Sequence, residues 1–155
     1  MAATTRTVVL AAAALFVATA AHAHSHKVKK LEIVHPWCVE TNGTGDAVPI
    51  FMTIKNAGAR GDKLLRVSTA IAGKAELRAV SASPGKDGEA LSSVAVAAKG
   101  VVDLKRDGPH VVLSGVKKVL GAYDSFMLTL VFERSGKVEV EVMVEDASVL
   151  APVKK

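Results

Sequence analysis

SFMLTLVFERSGKVEVEVMVE, residues 125–145, decides the fold class of this chain. Phe126, Leu128, Leu130 and Phe132 occupy alternate positions before the short RSG interruption at 134–136. Val138, Val140, Val142 and Val144 alternate after it, with Glu139 and Glu141 between them. Successive side chains of a strand point to opposite faces, so each half reads as a strand with one apolar and one solvated face. The interruption is hairpin-length, which predicts an antiparallel pair.

The same alternation recurs upstream. KLEIV (30–34), VPIFMTIKN (48–56), KLLRVSTA (63–70), KAELRAVS (74–81), VVDL (101–104) and HVVLSG (110–115) read as strands. ETNGTGD (40–46), AGARGD (57–62), SPGKDGE (83–89) and RDGP (106–109) separate them with turn chemistry. Beyond the amino-terminal run, no stretch carries helical periodicity, and no internal repeat occurs. Several short strands at this spacing predict one all-β sandwich over residues 31–147, with a flexible tail at 148–155.

The amino terminus reads differently. Residues 1–6 carry one positive charge, TVVLAAAALFVATA (7–20) carries none, and AHA (21–23) forms a small-x-small site. This is the three-part pattern of a secretory signal peptide covering 1–23. The apolar run is short for a membrane span. Cys38 lies too far downstream to be a lipid-bearing cysteine after such a signal. The expectation is a soluble exported protein, free of the membrane after cleavage, with a His/Lys-rich linker at 24–30.

Composition narrows the function. The chain of 155 residues has a formal charge of +5 and 4% aromatic residues. Its cations are dispersed among acids, and a nucleic-acid surface would need a basic patch interleaved with aromatics. One cysteine excludes an internal disulfide. Cys38 reads as a small core hydrophobe in preference to a soft metal ligand or reactive thiol. Asn42-Gly43-Thr44 matches a glycosylation acceptor but reads as an Asn-Gly turn. There is no nucleophile elbow around Ser114, no phosphate loop leading into a helix and no catalytic carboxylate pair, so no enzyme is expected. His110 opens a strand directly after RDGP, where sandwich loops carry sites.

HPW (35–37), FMTIKNAG (51–58), DKLLRVSTAIAGKAEL (62–77), DGPHVVLSGVKKVL (107–120) and LTLVFERSGKVEVEV (128–142) together resemble the periplasmic copper chaperones called PCu(A)C. The resemblance spans nearly the whole predicted mature chain. It implies a cupredoxin-like β-sandwich of mostly antiparallel strands, a periplasmic location and Cu(I) as cargo. Some members deliver copper to the dinuclear centre of cytochrome c oxidase, which the resemblance makes a candidate partner. It also implies a site of two histidines and two methionines.

At those positions this chain departs from the pattern. Arg78 stands where the first histidine falls, GEALSSV (88–94) holds no methionine, His110 is retained, and Val112 replaces its methionine partner. One family ligand of four is kept, and a guanidinium brings positive charge to a cation site. A copper protein with a moved site and a degenerate family member acting as a non-metal interaction module are the two readings.

Cleavage after Ala23 would make His24-Ser25-His26 the new terminus. Its amine, two amide nitrogens and the His26 imidazole form a square-planar set suited to Cu(II). In a second arrangement the amine and imidazole of His24 chelate copper together, with His35 or His110 completing the site.

Overall fold

The computed structural model describes residues 25–83, 86 and 88–150; the leader, His24 and residues 151–155 lie outside them. Within that range the chain forms β1 (Ser25–Val28), β2 (Leu31–Val39), β3 (Val48–Asn56), β4 (Asp62–Ser68) and β5 (Ala72–Arg78). β6 (Val94–Val96), β7 (Val101–Leu104), β8 (His110–Val116), β9 (Ser125–Phe132) and β10 (Gly136–Glu145) follow, then a 3-10 turn at Ala147–Leu150.

The β9–β10 hairpin is antiparallel and in register from Gly136↔Phe132 to Met143↔Ser125. Gly136 supplies the left-handed φ of 78° that the connection requires. The alternation predicted for it holds: Leu128, Leu130, Val140 and Val142 are fully buried, while Met127 is half exposed on the outer face. Replacing Leu128 by Ala would cost about 2–5 kcal/mol, the range for emptying a packed site.

The strand order is β5-β8-β3-β2-β10-β9-β4-β6, with β1 added to β2 and β7 to β3. All pairs are antiparallel except β10 on β2, where Met143, Val144 and Glu145 run parallel to Trp37, Cys38 and Val39. The sheet coils until β4 touches β5, giving a nearly closed, cupredoxin-like barrel around Ile33, Ile54, Leu64, Leu113 and Val140.

Four segments differ from the sequence reading. Residues 25–28, expected in a linker, pair with β2 as β1. HPWCV extends β2 beyond KLEIV, because a register shift between Val34 and Trp37 accommodates Pro36, which has no N–H to give the ladder. β6 is three residues long, too short to show periodicity. The tail expected from 148 onward begins inside the 3-10 turn.

Candidate metal centre

β5 and β8 form the strand pair where the family resemblance places its ligands. Their register sets Arg78 opposite His110 and Glu76 opposite Val112. Cross-strand partners share a face, so all four side chains occupy one patch. His110 is buried, and its Nδ1 lies 3.0 Å from the carbonyl oxygen of Gly108. A carbonyl only accepts, so Nδ1 carries the proton and donates.

The rest of the patch is filled by an ion triplet. Arg78 Nη2 and Lys74 Nζ each lie 2.6 Å from the Glu76 carboxylate, and Arg78 Nη1 donates to the Gly88 carbonyl. The hydrogen bonds from Lys74 and Arg78 hold the Glu76 carboxyl below the usual carboxylate range. Arg78 Nε is buried without a partner among the described residues. Val112 is also buried and offers no donor atom. The structure therefore brings Arg78, His110 and Val112 together as the register predicts, in a patch that is cationic and packed. The signal for the triplet was present in KAELR, whose charges alternate with strand period.

His35 occupies a different setting. It sits in the β2 bulge with a left-handed φ of 48° immediately before Pro36. For a residue other than glycine this conformation costs on the order of 1–3 kcal/mol and is commonest at functional sites. The imidazole is half exposed, and its Nε2 lies 3.6 Å from a Glu145 carboxylate oxygen. A groove of about 500 Å³ adjoins it, lined by Trp37, Phe51, Thr53 and the 103–107 loop. His35 and His110 do not meet: ring centroids run His35–Trp37 6.2 Å, Trp37–Phe51 5.0 Å and Phe51–His110 6.3 Å. Glu145 escaped the sequence reading because only the parallel β2–β10 contact brings it to His35.

His26 faces β10, where its Nε2 accepts the backbone N–H of Glu141 at 3.2 Å. A metal on Nδ1 would place the imidazole proton on Nε2, opposing one donor to another. The amine–amide–His26 arrangement therefore conflicts with β1 in its docked position. Cys38 lies inside the core; burial, aided by the charge of Glu145, pushes its thiol up to about 12. It is a packed apolar group and not a ligand. Among the described residues no three His, Cys, Asp or Glu side chains cluster as a metal site.

The LpqE-like family, described as lipoproteins, has a model that matches residues 31–144. This chain belongs to the LpqE-like family. Its fold is that of PCuAC domains: it is similar to the copper-bound PCuAC domain from PmoF2, at 25% identity and TM-score 0.68, covering 79% of this chain and 98% of that one. The apo PCuAC domain from PmoF1 matches at 26% identity and TM-score 0.69, with 79% and 99% coverage. CuI-DR1885 from Deinococcus radiodurans shares the fold at 23% identity and TM-score 0.61, over 81% and 83% of the two chains. No curated protein matches. In this LpqE-like chain the buried Cys38 is not available to carry the lipid that the family description names. Among the described residues no helix is long and apolar enough to cross a membrane.

Proposed function

We propose that this chain is an exported, periplasmic copper-handling protein of the PCuAC type, a chaperone and not an enzyme, that holds Cu(II) at its new amino terminus. The amine and imidazole of His24 and the imidazole of His35 supply the nitrogens, with Glu145 orienting His35. The observation that carries this reading is the β1–β2 register. Ser25 is the partner of Val34, so the described chain begins one position from His35 along the ladder. The strained, half-exposed His35 beside a carboxylate matches the usual pattern of a ligand imidazole oriented by an outer-shell acid. Cytochrome c oxidase is the recipient this reading proposes, and its dinuclear copper centre the destination.

Trp37 is the only tryptophan of the chain and its ring lies 6.2 Å from His35. Protein beginning at His24 is titrated with Cu(II), following quenching of Trp37 fluorescence. One tight equivalent is expected, lost on His35→Ala and retained on His26→Ala. Loss on His26→Ala with retention on His35→Ala would restore the amine–amide–His26 arrangement. No tight equivalent would leave the interaction-module reading.

A further inference from the structure

Four loops close one end of the barrel at residues 29–30, 57–61, 97–100 and 133–135. They are tied to one another. Ala57 N–H donates to the Lys30 carbonyl, Lys99 N–H to the Gly58 carbonyl, Lys99 Nζ to the Ala57 carbonyl, and Lys29 Nζ to the Arg134 carbonyl. Two buried polar side chains organise the same end. Asn56 donates to the Arg60 carbonyl, and Asp62 accepts the N–H groups of Lys63, Arg134 and Ser135.

The outer surface of this end carries Lys29, Lys30, Arg60, Lys99 and Arg134, all exposed. None of the five makes an ion pair with the described residues. Of the carboxylates at this end, Asp62 is turned inward and spent on backbone amides, and the exposed Glu133 is paired with Lys63. Lys29, Lys30, Arg60 and Arg134 surround a shallow concavity of about 330 Å³ at the centre. Fixed cations on four separate loops spread over an end face instead of following a groove. The large exposed apolar side chains of the molecule lie elsewhere, apart from Val101 at the margin, so the face lacks the aromatic anchor of a protein hot spot.

We propose that this end face docks the protein on an anionic lipid surface, with the phosphate headgroups seated against the Lys29, Lys30, Arg60 and Arg134 side chains and the His35 groove held away from the bilayer. The sequence reading expected no membrane association after cleavage, because the apolar run is short and Cys38 lies too far downstream to carry a lipid; the cations, dispersed along the chain, are collected by the fold at one end. The attachment is peripheral, electrostatic and independent of copper.

The test uses metal-free protein beginning at His24 in co-sedimentation with vesicles. Binding is expected to vesicles containing phosphatidylglycerol and not to pure phosphatidylcholine. It should vanish near 1 M salt, where the screening length is about 3 Å. The combined Lys30→Glu, Arg60→Glu and Arg134→Glu variant should lose binding by more than a hundredfold, since each lost cation costs roughly fivefold. A control carrying Lys117→Glu, Lys118→Glu and Arg106→Glu has the same net charge and should keep most of its binding. Circular dichroism of both variants checks that the barrel is intact. Equal loss in the two variants would show that net charge alone acts and would overturn the oriented face. So would failure to bind anionic vesicles. Competition by inorganic phosphate at constant ionic strength would assign the concavity to a free anion, and equal competition by polyglutamate would assign the face to an acidic protein.

Discussion

The β5–β8 strand pair and the β2 bulge each carry a histidine, yet they have been built for opposite ends. Around His110 the described neighbours across β5–β8 offer no open coordination capacity. Arg78 contributes a permanent cation, Val112 contributes no donor atom, and Glu76 is held by Lys74 and Arg78. Around His35 the backbone is strained, the ring is half open to solvent, and a carboxylate faces it. Fold and site are therefore separable in this chain: the strand pair where the resemblance places copper ligands is a packed, ion-paired wall, while the β2 bulge holds a half-exposed imidazole.

The largest expected effect falls on the second region. Adding one residue ahead of His24 removes the primary amine from the chelate. Cu(II) affinity, read by Trp37 quenching, should fall beyond the roughly 10–100-fold that outer-shell changes produce. An unchanged affinity would mean that the terminus is not a ligand, and the contrast between the two regions would lose its copper half.

Restoring the first region comes next. Arg78→His with Val112→Met places two copper donors on the face that His110 already occupies and removes a cation. Cu(I) affinity, measured by competition with a chelator, should rise about tenfold or more. No gain would show that the β5–β8 backbone has changed along with its side chains.

His110→Ala should act on stability and not on Cu(II). It deletes a buried ring and its hydrogen bond to Gly108, a cost of about 1–3 kcal/mol by denaturant unfolding. Cu(II) binding should be unaffected, since two aromatic rings separate His110 from His35. A drop in Cu(II) affinity without destabilisation would merge the two regions into one site.

Glu76→Gln should have a smaller effect on stability, because the triplet is solvent-screened at the barrel surface. Its sign with pH is fixed. The Glu76 carboxyl is lowered in the folded state by Lys74 and Arg78, so its contribution is present above the unfolded value of about 4.3 and fades as pH falls through the folded value. The wild type and Glu76→Gln should therefore converge in Tm as pH falls below the folded value of the Glu76 carboxyl. Divergence at low pH would contradict the ion-triplet account.

The smallest signal belongs to Cys38, whose thiol should stay unlabelled by thiol reagents at pH 8 in the native barrel and react once after unfolding. Native labelling that copper blocks would make it a ligand after all.

Much of the barrel was legible because burial on one face imposes period two on a strand. KVEVEVMVE and SFMLTLVFE state their own inward residues, and VPIFMTIKN and VVDL coincide with β3 and β7. The absence of a copper donor at Arg78 and Val112 was equally legible, since no folding can turn these side chains into copper donors. β1 and β6 were not legible, because SHKV is mostly polar and reads as a linker, and the three residues of β6 are too few to show periodicity.

The sequence by itself determined an all-β chain and the identities Arg78 and Val112 at positions where the family resemblance expects copper ligands. Only the tertiary structure decided that His26 is committed to Glu141, that Glu145 meets His35, and that Lys29, Arg60, Lys99 and Arg134 share one end of the barrel. Strand alternation is a local property, set by which side of the backbone each residue points to. Pairing between strands is set by the closed order of the sheet, and it is this pairing that brings charges and ligands distant in the chain to within bonding distance.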